Sequence, residues 1–217
     1  TSNGGRSRQK RAVYCHTASS IPSFHDFVEA LSGHYHMNQY TRLPGNRKCV
    51  KIICMIAFHN VTKVYPDQPP TLEDITFKIE PKEFVSLVGK SGVGKSTIIK
   101  LLIGEERPTK GRVVVGEYEV NRLKNHELPH LRRQIGVIFQ DFRLLPTKTS
   151  YENVAFAMEV GGHPQSEIEE LVPKVLDMVG LAEKTGSFPH ELSGGEKQRV
   201  AIARAMIHRP SVIVADE

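Results

Sequence analysis

Residues 84–104 read FVSLVGKSGVGKSTIIKLLIG. The apolar run 84–88 suits a strand, and the apolar positions from Ile98 to Ile103 suit a helix buried against a parallel sheet. Between them stands Gly89-Lys90-Ser91-Gly92-Val93-Gly94-Lys95-Ser96-Thr97, a G-x-x-x-x-G-K-S arrangement in strand-loop-helix context. Gly89, Gly92 and Gly94 let the backbone curl so that successive N–H groups face one point. Those groups, with the start of the following helix, make an anion site for a β-phosphate. At this spacing Lys95 reaches β- and γ-phosphates, and the Ser96 hydroxyl can hold Mg²⁺.

Upstream, residues 55–65 (MIAFHNVTKVY) and 71–80 (TLEDITFKIE) alternate as strands, with a proline-rich turn between them. Tyr65 sits just past the first of these. Its ring fits either base stacking or strand-end packing, and composition leaves both open. Downstream, residues 112–115 read as a strand, 116–117 as a hairpin turn and 118–120 as a possible return strand. Residues 126–133 read as a polar helix and 136–139 as a short strand leading to Gln140-Asp141. Residues 142–190 change character: 151–160 suit a helix, and 166–179 keep a 3.6 period in which Pro173 predicts a kink or a new turn.

The stretch 191–200, ELSGGEKQRV, carries Ser193 three residues before Glu196, a capping box that opens a helix limited by Pro210. Two glycines, Gly194 and Gly195, stand at its start. An N-terminus with unpaired N–H groups behind two glycines is a second phosphate site or an ordinary capped helix. Two adjacent glycines are costly there unless something approaches closely. The final residues, SVIVADE, read as a parallel-sheet strand that delivers Asp216 and Glu217 to its C-terminal end. Ligands bind at that end in open α/β sheets. There Asp216 can support Mg²⁺ through water, and Glu217 can act as general base.

Charge divides the chain. Residues 1–54 hold eight Lys/Arg and two Asp/Glu, a balance of +6; the remaining 21 Lys/Arg and 22 Asp/Glu give −1. The body therefore lacks a basic footprint for nucleic acid. The leader has no sustained period and reads as a disordered or weakly ordered basic segment. One short amphipathic helix is possible around Phe24 to Leu31, and the Arg6–Arg11 cluster fits a solvated tail or an anionic contact. Met55 stands where a natural start would make sense. Cys15, Cys49 and Cys54 are odd in number and lack metal spacing, which suits free thiols. No apolar run approaches the roughly 18 residues needed to span a bilayer.

The set GKSGVGKST (89–97), FQD (139–141), LSGGEKQRV (192–200) and VIVADE (212–217) resembles an ABC-type nucleotide-binding cassette ATPase over about residues 55–217. VTKVYPD (61–67), GEERPTKGRV (104–113) and 131–160 are similar to the bacterial cell-division branch, the FtsE type. The resemblance implies an α/β fold: a P-loop NTPase of RecA-like core, an N-terminal antiparallel β subdomain, and a helical subdomain inserted over about 142–207. It implies ATP and Mg²⁺ as ligands and ATP hydrolysis as the activity. Tyr65 would stack on adenine. Gly89 through Thr97 would hold the phosphates. Ser96, Gln140 and Asp216 would serve the metal, and Lys95, Gln140 and Glu217 the chemistry. Ser193, Gly194, Gly195 and Glu196 would cover the γ-phosphate of ATP held by a second copy, so two ATPs would be sandwiched in a head-to-tail homodimer. The branch implies an FtsX-like integral membrane partner and a peripheral place on the cytoplasmic face of the bacterial inner membrane. Lipoprotein, macrolide and amino-acid transport cassettes share much of the pattern. A soluble cassette acting on nucleic acid or ribosomes fits less well. The family continues past the position of Glu217 with a further strand and a switch histidine, so a C-terminally truncated domain is expected.

Overall fold

The computed structural model describes residues 55–216 and the backbone of 14–17. In chain order its strands are β1 (Tyr14–Thr17), β2 (Ile56–Lys63), β3 (Leu72–Ile79), β4 (Val85–Val88), β5 (Lys110–Val115), β6 (Tyr118–Glu119), β7 (Ile135–Ile138) and β8 (Val212–Ala215). Its helices are α1 (Lys95–Leu102), α2 (Leu128–Arg133), α3 (Ser150–Gly161), α4 (Gln165–Met178) and α5 (Gly194–Met206), with short 3₁₀ turns between some of them. Two compact units result: Thr1–Leu102 with Glu106–Asn121, and Ile103–Glu105 with Arg122–Glu217.

The first unit is built on an antiparallel sheet of order β3-β2-β5-β6. Along β2, Ile56, Ala57, Phe58 and Val61 are buried, with a register shift between Phe58 and Val61, and Phe58 stacks on its cross-strand partner Phe77 with ring centroids 4.6 Å apart. Such pairs are the stabilising contacts of a sheet. The Gly116-Glu117 turn closes the β5–β6 hairpin, pairing Val115 with Tyr118. Helix α1 buries Ile98, Ile99, Leu101 and Leu102, with α1 lying against β5. The strand before the phosphate loop, β4, pairs antiparallel with β1, from Val85–Thr17 to Val88–Tyr14. Neither this pairing nor a strand at 14–17 is signalled in the sequence. The remainder of the basic leader, including the possible helix near Phe24, lies outside the described residues.

The second unit combines a parallel pair, β7 and β8, with three long helices. Val154 and Met158 of α3, Ile168, Val172 and Leu176 of α4, and Val200, Ala201 and Ala203 of α5 form its buried core. Helix α3 starts at a capping box: the Glu152 N–H donates to Thr149 Oγ1 (3.2 Å), and the Thr149 N–H donates to Glu152 Oε2 (2.7 Å). It ends on left-handed Gly162. Asn153, fully buried, ties the preceding loop to this helix. It accepts from the Leu145 N–H (2.7 Å) and donates to the carbonyls of Leu145, Lys148 and Thr149. Helix α4 continues through Pro173, with no new start there. The proline side chain is exposed, so the Glu169 carbonyl it leaves unbonded lies on the wet face while Ile168, Val172 and Leu176 anchor the other. Strand β7 packs closely on α5: a Cβ at Gly136 would stand 2.5 Å from the Ala205 carbonyl oxygen. Among the described residues, no helix is long and apolar enough to cross a membrane.

Candidate functional site

The residues singled out by the sequence fall into both units. The phosphate loop and Tyr65 lie in the first. Gly92 and Gly94 have φ of +76° and +106°, conformations that side-chain-bearing residues avoid. Gly94 is further constrained, since a Cβ there would meet Leu72 Cδ2 at 2.7 Å and the Thr71 carbonyl oxygen at 3.2 Å. The curl lets Lys95 reach back across its own loop, where Nζ donates to the Gly89 carbonyl at 2.8 Å and the Lys90 carbonyl at 3.4 Å. The ammonium thus lies within the ring of backbone that opens α1. Ser96 follows it in the first turn, exposed, and Thr97 is buried.

In the second unit the parallel register matches Ile138 with Ala215, so β7 and β8 end at the same edge. The Asp216 N–H donates to the Ile138 carbonyl at 2.9 Å, carrying the ladder one residue past β8. Gln140 stands two residues beyond Ile138. The structure therefore brings Gln140 and Asp216 to one edge, the C-terminal one, where ligands of such sheets bind. Glu217 lies outside the described residues.

The segment after Gln140 is braced from α5. Phe142 and Arg143 take left-handed φ of 59° and 45°, which turns their carbonyls toward Arg204. The Arg204 guanidinium donates to both, each at 2.7 Å. Arg143 in turn lies over the Phe139 ring, 3.8 Å from its centroid. Asn153 holds the other end of this loop. Arg204 and Asn153 were not identifiable as site-supporting residues from spacing alone. The available signal for Arg204 is a cation set among Val200, Ala201, Ala203 and Ala205, a mostly apolar helical stretch that calls for a buried partner.

At the other end of α5, Ser193 caps the helix. Its Oγ accepts from the Glu196 N–H (3.3 Å) and donates to Glu196 Oε2 (2.7 Å), and its own N–H donates to that carboxylate at 2.8 Å. These bonds hold the Glu196 carboxyl below the usual carboxylate range. The cap's contribution to stability is therefore present above the ordinary value of 4.5 and is lost as pH falls through the lower folded value. Gly194 and Gly195 are exposed and helical. A Cβ at Gly194 would meet nothing within 4 Å, and one at Gly195 only Arg199 Nη1 at 3.8 Å. The chain's own fold thus makes no demand for glycine at either position. Ser193 precedes Arg204 by eleven residues, about 16 Å along the axis of α5. The capped start and the Gln140 segment are consequently held apart by one rigid helix.

The donor set proposed for a metal is oxygen throughout: the Ser96 hydroxyl, the Gln140 amide oxygen and the Asp216 carboxylate. Hard cations such as Mg²⁺ take such ligands, commonly one or two from protein with the rest from phosphates and water. No group of three or more His, Cys, Asp or Glu suited to a metal occurs among the described residues. The donor chemistry of each of these residues suits a Mg²⁺ that completes its shell with phosphate and water oxygens.

Residues 72–217 match the ABC transporter family. The cell division ATP-binding protein FtsE of Mycobacterium tuberculosis is 53% identical over 164 residues, covering 75% of this chain and 71% of that one. FtsE of Bacillus subtilis is 50% identical over 163 residues, covering 75% and 72%. Among solved structures, an ATP-binding cassette in a dimeric post-hydrolysis state with ADP and Pi bound superposes with a TM-score of 0.68 at 36% identity, over 74% of this chain and 73% of that one. The chain thus belongs to the ABC transporter family, as an FtsE-like ATPase subunit built on the P-loop NTPase fold.

Proposed function

We propose that this chain hydrolyses ATP as one half of a head-to-tail homodimer and passes the resulting motion to an FtsX-like integral membrane protein during cell division. The observation that carries the reading is the pair Gly194 and Gly195. They sit in helical conformation with open space around them, so their missing side chains serve something that arrives from outside the chain. A helix N-terminus bared in this way offers N–H groups and a positive dipole end to phosphate. The solved relative with ADP and Pi is described as dimeric, which supports the same pairing.

In this reading Tyr65 stacks on the adenine, and residues 89–97 wrap the phosphates. Lys95 turns from its loop carbonyls to the β- and γ-oxygens. Ser96, Gln140 and Asp216 would hold Mg²⁺, which when bound would neutralise phosphate charge. Glu217 accepts a proton from the attacking water, giving ADP and phosphate. Ser193, Gly194, Gly195 and Glu196 close over the γ-phosphate held by the second copy. Closure is driven by contacts made only in the closed state, and their loss on hydrolysis releases the dimer. Residues 55–217 act as the cassette in this proposal. The helical part, about 142–207, together with the Gln140 segment, meets the membrane partner at the cytoplasmic face of the inner membrane.

Replacing Lys95 by Ala is expected to abolish ATP turnover, and unchanged turnover would refute the assignment. Co-purification from native membranes tests the partner. Recovery of an FtsX-like protein supports it, whereas recovery of a large multi-span transporter makes the chain a transport cassette.

A further inference from the structure

We infer that Lys63, held by Glu106, is the positioning residue for the Tyr65 ring: its ammonium covers one face of the ring and leaves the other as the platform for a purine base. The inference deepens the base-stacking role proposed for Tyr65 and rests on it.

Lys63 ends β2 and is only 9% exposed. An ammonium taken out of water needs partners on every side it presents. Lys63 Nζ donates to Glu106 Oε2 at 2.6 Å and to the Arg107 carbonyl at 3.0 Å, and it lies 4.8 Å from the centroid of the Tyr65 ring. The ring is therefore the third side of its cage. Cation–π attraction of this kind strengthens when the cation is shielded from water. A tyrosine in a half-exposed turn would otherwise sample several rotamers. Here the cation favours the rotamer that lies over it, and with one face taken a base can stack only on the opposite one. A positive charge behind the ring also draws electron density from the free face, which suits an electron-rich purine.

The same residues tie this platform to the phosphate loop. The Glu106 N–H donates to the Lys100 carbonyl of α1, the helix that the loop opens (3.1 Å). The Lys63 carbonyl accepts from the Thr71 N–H (2.9 Å), and Thr71 abuts Gly94 of the loop. Thr109 completes the frame, its N–H bonding the Thr62 carbonyl at 2.8 Å and its Oγ1 accepting from the Val64 N–H at 3.0 Å. The turn at 106–109 thus carries both the acid that holds Lys63 and the backbone bonds that hold the Tyr65 turn. Lys63 and Glu106 set the spacing between a base on Tyr65 and phosphates on the loop.

A staple that merely joins the 106–109 turn to β2 would use the same ion pair, so the test must separate base from phosphate. The full chain carrying Lys63→Met, Glu106→Gln or Tyr65→Ala is titrated calorimetrically with MgATP and with magnesium tripolyphosphate, which has no base. Lys63→Met and Glu106→Gln are expected to weaken ATP binding about three- to tenfold while tripolyphosphate changes by less than about twofold. The double variant Lys63→Met/Tyr65→Ala should bind ATP no more weakly than Tyr65→Ala alone, because Lys63 acts through the ring. Equal weakening of both ligands, or unchanged ATP affinity, overturns the inference. If Tyr65→Ala leaves ATP affinity intact, the base platform itself falls and the inference with it. If Tyr65→Ala weakens ATP but Lys63→Met and Glu106→Gln do not, the inference alone fails. Glu106→Gln keeps a hydrogen-bonding group in place, and it carries the comparison should Lys63→Met not fold.

Discussion

Gly194 and Gly195 separate what the fold needs from what the chemistry needs. At an exposed helical position with free space, alanine is the better residue for the folded chain by about 0.5–1 kcal/mol, because glycine loses more backbone entropy on folding. Gly195→Ala is therefore expected to raise the nucleotide-free melting temperature slightly, and at least not to lower it. The same methyl group would stand between the bared N–H groups of α5 and an incoming γ-phosphate. ATP turnover is expected to fall at least about tenfold, the effect of losing a preorganised donor surface. Thermal melts and steady-state ATPase assays on one preparation check both directions. A variant that is less stable, or as active as the parent, contradicts the assignment. Gly94 gives the opposite case. Its φ of +106° and its contact with Leu72 make it a glycine that the fold itself demands, so substitution there would confound stability with function.

At the scale of elements, α5 is the lever of the second unit. Its start has open space at Gly194 and Gly195, and its last turns hold the loop after Gln140 through Arg204 and contact β7 at Gly136. Removing the guanidinium leaves two carbonyls in a left-handed turn without their donor, a loss of about 1–3 kcal/mol confined to the loop. Arg204→Ala is thus expected to speed amide hydrogen exchange across residues 140–145 while protection in α4, whose own core contacts are untouched, stays as in the parent. ATP turnover should fall with it, since the loop that follows Gln140 loses its brace. Uniform loss of protection would show that Arg204 serves the fold as a whole. Most of these elements were legible in the sequence because each carries its own punctuation: glycines at the phosphate loop, Ser193 with Glu196 at α5, alternation in β2 and β3. What was not legible depends on partners far apart in the chain. The Lys63–Glu106 pair spans 43 residues and the Arg204 bonds span 61 and 62. Nothing local in β4 names β1 as its partner. Pro173 shows the converse: α4 continues through it without a new start, anchored by its buried side.

For the whole molecule, the proposed mechanism has one chain present two phosphate-binding surfaces serving different triphosphates. The loop at 89–97 is read as one half of a site and the capped start of α5 as half of another, so each complete site is shared between two copies. Closed two-fold pairing makes both shared sites identical. This has a consequence that no single-chain site shares. Lys95→Ala destroys the loop half, Gly195→Ala impairs the cap half, and each variant alone is expected to turn over little ATP because every site in its homodimer is damaged. Mix them, and in the mixed dimer one site collects both lesions while the other has an intact loop from one copy and an intact cap from the other. With random exchange half the dimers are mixed and half of their sites are whole, so about a quarter of parental turnover should return if the sites act independently. An equimolar mixture incubated with MgATP and assayed for phosphate release measures it directly. Activity that stays at the level of the separate variants would mean that loop and cap meet within one chain, and the shared-site mechanism would be wrong. Recovery in the mixture, with its sedimentation in the dimer range when ATP and magnesium are present, would place the glycines of α5 on the phosphate of a second copy.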